Sequence, residues 1–141
     1  MAKIVKVFNI LISCPGDIKE EVEVIKSVIE QFNRTTGDEN NIRLEAKHWS
    51  KDSYPESGGK AQALLNQQFV EECDMSIAVL WTRFGTPTEK YGSGTEEEIS
   101  LMIESGKQVF LYLSKKPISP DEIDSEQYNL VKKFIDKYSC I

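Results

Sequence analysis

The run Met75-Ser76-Ile77-Ala78-Val79-Leu80-Trp81 has almost no polar face, and it breaks off into Thr82-Arg83-Phe84-Gly85. An apolar segment this short, closed by a glycine loop, reads as a strand buried on both sides. Such strands belong to parallel sheets covered by helices, so the run confines the chain to an α/β architecture. Val5 to Ser13 is a second apolar strand, stopped by Pro15-Gly16. Ile18, Val22, Ile25, Ile29 and Phe32 recur at helical spacing. They predict an amphipathic helix from Asp17 to about Asn33, with Asp17 as N-cap and Glu20 three residues on.

Ile42 to Trp49 alternates, with Ile42, Leu44, Ala46 and His48 on one side and charged residues with Trp49 on the other. That period of two suits an edge strand. A polar loop, Lys51 to Lys60, leads to a helix expected over Ala61 to Cys73. A third helix is expected from Thr95 to Ser105, closed by Gly106, followed by an apolar strand, Gln108 to Leu113. Ser119-Pro120-Asp121-Glu122 opens a last helix carrying Leu130, Val131, Phe134, Ile135 and Tyr138.

Strands alternating with helices predict a parallel sheet with right-handed crossovers. The expected fold is flavodoxin-like, of strand order 2-1-3-4, with helices on both faces and a fifth strand to follow. The sequence stops at Cys140-Ile141, about where that strand would begin. Residues 1–141 are therefore expected to form one domain of a longer protein. Gln108 to Leu113 is then expected to be an open sheet edge, or to pair with another chain.

With 141 residues the chain suits one hydrophobic core. Its 17 basic and 23 acidic residues, net −6, argue against a broad nucleic-acid or anionic-membrane surface. No apolar run approaches the roughly 20 residues of a bilayer span. The N-terminus runs straight into a strand pattern without a signal-peptide cleavage site, so a cytoplasmic protein is expected. Cys14, Cys73 and Cys140 are odd in number and far apart, which suits reduced thiols. With one histidine, His48, there is no zinc or iron set, and no metal or cofactor is expected. Gly59-Lys60 lacks the other residues of a P-loop, and Gly92-Ser93-Gly94 lacks the third glycine of a dinucleotide fingerprint.

In a sheet of this order, ligands bind where the loops after the first and third strands diverge. The candidate binding residues are Ser13, Cys14, Pro15, Gly16 and Asp17, then Trp81, Arg83, Phe84 and Gly85 on the Trp81 to Thr86 loop, then Gly94 and Thr95. A helix N-terminus at Gly94-Thr95 offers free N–H groups to a phosphate or a ribose hydroxyl. Glu98 is the candidate catalytic residue, one turn into that helix, where a carboxylate could stabilise oxocarbenium-like charge. A purely structural role is equally available, because Thr95-Glu96-Glu97-Glu98 has the form of a capping box. Arg83 suits an anion or a surface ion pair. Trp81 and Phe84 suit a base-stacking wall or core packing. Cys14, His48 and Asp74 read as structural residues.

Two segments carry a resemblance. Ile12-Ser13-Cys14-Pro15-Gly16-Asp17, and Trp81-Thr82-Arg83-Phe84-Gly85-Thr86-Pro87 leading to Ser93-Gly94-Thr95-Glu96-Glu97-Glu98, resemble an uncharacterised TIR-like domain found at the N-terminus of STAND/NACHT-type NTPases. Gly94-Thr95-Glu96-Glu97-Glu98-Ile99 is also similar, more distantly, to a segment of nucleoside deoxyribosyltransferases, whose nucleophilic glutamate would fall on Glu98. TIR NAD hydrolases place a catalytic glutamate on the corresponding helix. The TIR box sequences are not matched. The resemblance implies a signalling or anti-phage effector that cleaves the N-glycosidic bond of NAD or a related nucleotide. NAD would be substrate rather than cofactor. It implies self-association on activation, NTPase and sensor domains as neighbours, and little activity from the isolated domain. The rival expectation is a non-catalytic interaction module.

Overall fold

The computed structural model describes residues 2–48, 70–85 and 93–138. The expected 51–60 loop, most of the 61–73 helix, Trp49, Thr86 and Cys140-Ile141 lie outside the described residues.

Three apolar runs and one alternating segment form the strands β1 (Lys6–Ser13), β2 (Ile42–His48, the alternating one), β3 (Met75–Leu80) and β4 (Gln108–Leu113). All three pairings are parallel and the order is β2-β1-β3-β4, as the alternation of elements predicts. The helices are α1 (Glu20–Arg34), the short α2 (Thr36–Asn40), α3 (Gly94–Glu104) and α4 (Ser125–Tyr138). Residues 70–72 are helical and lead into β3. Among the described residues no helix is long and apolar enough to cross a membrane.

Side-chain alternation along the strands divides the core into two layers. On one face Ile12 and Val79 pack with Ile18 and Val22 at and before α1. On the other, Ala78 and Leu80 pack with Ile99 of α3 and with Val131 and Phe134 of α4. Leu11, Val70, Cys73 and Met102 continue that second layer. Among the described residues both outer strands are edges of the sheet. At β2 the Asn33 side chain takes the place of a further strand, since its amide donates to the Leu44 carbonyl and accepts from the Leu44 N–H, both at 2.8 Å. At β4 the expected open edge is found, and Phe110 and Tyr112 stand exposed on the α1 face.

Three helix starts differ from those the sequence predicts. The first helix begins at Glu20, with Lys19 in the N-cap position and no side-chain cap. Asp17 is not the N-cap, because its carboxylate is engaged by another loop. The third begins at Gly94, capped by Ser93, whose Oγ accepts from the Glu96 N–H at 3.0 Å. Thr95 is therefore inside the helix, and the expected capping box does not form. Pro120–Glu122 is an isolated 3-10 turn. The last helix starts afresh at Ser125, where the Asp124 carboxylate accepts from the Glu126 and Gln127 N–H groups.

Candidate functional site

β1 and β3 lie side by side at the centre of the sheet, and the chain leaves their C-terminal ends toward opposite faces. The loops that part there are the Ser13–Asp17 turn and the Trp81–Gly85 segment. Two side chains tie them. Asp17 Oδ2 accepts from the Thr82 N–H at 3.2 Å, the Thr82 hydroxyl at 3.1 Å and the Arg83 N–H at 3.2 Å. From the other side Gln127 Oε1 accepts from the Phe84 N–H at 2.8 Å and the Gly85 N–H at 3.1 Å. The Thr82–Gly85 backbone is thus held by two acceptors that are far from it in sequence. Gly85 has φ +112°, and a Cβ there would stand 3.2 Å from Ser93 Cβ, so this bend requires glycine.

Removing the first acceptor tests its weight. Asp17→Ala is expected to cost about 1.5–3 kcal/mol, the usual worth of hydrogen bonds to a charged group. Amide exchange at Thr82 and Arg83 should accelerate with it. Unchanged exchange at both amides would mean that the carboxylate does not hold the loop.

Between these walls lies a crevice of about 570 Å³, lined by Pro15, Gly16, Asp17, Arg83, Gly85, Asp124 and Gln127. Arg83 is exposed, and among the described residues its guanidinium has no ion-pair partner. Asp17 Oδ1 is buried without a hydrogen-bond partner. Among the described residues the crevice therefore presents an unpaired cation, which suits a ligand carrying an anionic group.

Glu98 projects from the start of the second turn of α3 into the interior, is 5% exposed and is not among the residues that line the crevice. Its Oε2 accepts from the Ser13 hydroxyl, itself fully buried at the end of β1. Burial pushes the Glu98 carboxyl up from 4.5 to about 7, against the opposing pull of the Ser13 hydrogen bond, and nearby Glu97 raises it further. A carboxyl in that range exchanges protons at neutral pH. Since Ser93 caps the helix, Glu98 is not needed for capping.

The remaining candidates are placed as follows. Cys14 is half-buried and its thiol is pushed up to about 12, first by burial and then by Glu98, Glu21 and Asp17, while a backbone hydrogen bond from Val79 opposes the shift. It is not a nucleophile at neutral pH. The Phe84 ring is 3% exposed and packs at 5.4 Å from the Phe134 ring, so it faces the core. Trp81 donates from Nε1 to the Lys116 carbonyl at 3.1 Å, and Lys116 Nζ stands 4.2 Å from its ring centroid. Gly94 is half-buried and Thr95 buried on the first turn of α3. His48 ends the edge strand β2, in register with Ile12. Asp74 accepts from the Asn9 N–H at 2.8 Å at the opposite end of the strands. Gln127 and Asp124 are crevice residues that the sequence does not single out.

A four-stranded parallel sheet of order 2-1-3-4, with helices on both faces and a polar crevice at the parting of its central strands, defines a flavodoxin-like α/β domain. Residues 11–139 match the family described as Domain of unknown function (DUF4062), and the chain belongs to it. Among curated proteins nothing matches the chain.

Proposed function

We propose that this domain is a TIR-like effector that hydrolyses the N-glycosidic bond of NAD or a related nucleotide, with Glu98 as the acting carboxyl. The observation that carries the reading is the placement of Glu98. A carboxyl buried beside Ser13 and released from capping by Ser93 costs the fold desolvation energy that its hydrogen bond from Ser13 only partly offsets. Strongly shifted buried carboxyls concentrate at functional sites.

Substrate enters along the Ser13–Asp17 turn. Arg83 holds phosphate oxygens as a charge-assisted donor. Ionised Glu98 stabilises positive charge as the bond from the ribose anomeric carbon to the nicotinamide nitrogen lengthens. The bonding pair leaves with nicotinamide, which departs neutral. The oxygen of a water molecule bonds to the anomeric carbon and passes its proton to Glu98, which releases it to solvent. The products are nicotinamide and an ADP-ribose.

The resemblance at Ile12–Asp17 and Trp81–Glu98 supports placing the domain in a cytoplasmic bacterial signalling or defence protein with an NTPase neighbour. Clustering then serves to activate it. Purified protein incubated with NAD should release nicotinamide, with turnover per chain rising as protein concentration rises. Absence of release at every concentration, with the parent protein triggered as well, would sink the reading.

A further inference from the structure

We propose that the apolar surface between α1 and β4 is a self-docking site that receives α1 of a second copy of this chain. This docking site supplies a surface for the clustering that the proposed function invokes, and its test reads mass rather than nicotinamide release, so the two can fail separately. On this face α1 lies over β2, and Ile18 and Val22 reach Ile12 of β1 and Val79 of β3, while β4 has no helix on it among the described residues. The result is a groove of about 500 Å³ whose floor is Ile77, Val79 and Tyr112 and whose wall is α1. The apolar side chains around it face solvent: Val24 is 62% exposed, Val28 59%, Tyr112 55% and Phe110 40%. By contrast the opposite face of the sheet buries Val131 and Phe134 fully or nearly so.

The shape of the patch selects the occupant. Val24 and Val28 stand one turn apart and form an i,i+4 ridge on the outer side of α1. The groove lies immediately beside that ridge. A surface carrying both a ridge and an adjoining groove of the same apolar chemistry is self-complementary. A two-fold axis places each ridge in the other copy's groove, which closes the assembly at two chains. Charge favours the antiparallel arrangement. The acidic residues of the groove, Glu20 and Glu21, sit only at the N-terminal end of α1. Antiparallel helices keep the two acidic ends apart and oppose the helix dipoles favourably. Glu21 is already paired with Lys116 at 3.0 Å.

The area is adequate for a reversible dimer. Two half-exposed aromatic side chains, of about 150–250 Å² each when whole, and two valines supply roughly 350 Å² of apolar surface per copy. That is on the order of half the ~800 Å² per partner of a standard interface, before polar rim contacts are added.

Sedimentation equilibrium from micromolar to near-millimolar chain concentration tests the proposal. Wild type should pass from the mass of one chain to the mass of two. Val24→Lys combined with Val28→Lys places two lysines on the ridge, both at exposed helix positions, and should weaken association by roughly a hundredfold or more. Tyr112→Lys should do the same from the groove side, and it carries the test alone if the double variant does not fold. Ile4→Lys, at an exposed apolar position outside the patch, should leave the dimer intact. A wild-type chain that stays monomeric throughout overturns the proposal. So does dimerisation of the folded lysine variants at wild-type strength, or equal loss on Ile4→Lys.

Discussion

Replacing Glu98 by glutamine is expected to abolish the proposed nucleotide cleavage while making the fold more stable above neutral pH. The two effects share one cause. Burial raises the Glu98 carboxyl from 4.5 in the unfolded chain to about 7 in the native one. Between those values the native state holds a proton that the unfolded state has lost, so stability falls as pH rises through that window. The loss is complete above the native value and amounts to about 3 kcal/mol at full extent. Glutamine has no proton to lose and can still accept from the Ser13 hydroxyl. The wild-type melting temperature should therefore drop between about pH 5 and about pH 8, by roughly 10 °C for a chain of this size. That of Glu98→Gln should stay level across the same range. Melting curves followed by circular dichroism decide it. Equal slopes for the two proteins would show that the carboxyl is not buried. Full cleavage by the variant would leave Glu98 a structural residue.

Phe84→Ala is expected to cost about 3–5 kcal/mol, the usual range for emptying a buried aromatic site. The ring packs against Phe134, which in turn stacks edge-on with Tyr138 at 4.9 Å, so the cavity would open among α4 side chains that cannot easily close it. Phe84→Leu should recover most of the loss. As a base-stacking wall, the ring would instead affect substrate affinity and leave stability nearly unchanged. Urea denaturation separates the two, and a cost below about 1 kcal/mol would remove Phe84 from the core.

The sheet order was legible because it rests on period and length. β1, β3 and β4 are short apolar runs, β2 alternates, and helical segments separate them, which leaves few topologies. The site was legible only in part. Local cap signals at Asp17 and Thr95 misled, since each reads four residues of sequence and neither sees a competing tertiary partner. Asp17 is drawn to Thr82 across 65 residues and to Arg83 beside it, and Ser93 takes the cap two residues before Thr95. The Ser13–Glu98 contact spans 85 residues. The sequence put both at the same sheet end but could not pair them. Gln127 was illegible altogether. It is one polar residue near the start of an amphipathic helix, and its role at Phe84 and Gly85 appears only once α4 is packed on the sheet.

The central claim is that Glu98 is an interior carboxyl able to gain and lose its proton at neutral pH. A carbon-13 NMR titration of the glutamate side-chain carboxyls tests it directly, with the Glu98 signal identified by its absence from Glu98→Gln. The Glu98 carboxyl is expected to titrate near 7. A Glu98 signal titrating at the ordinary glutamate value near 4.3 would contradict the account.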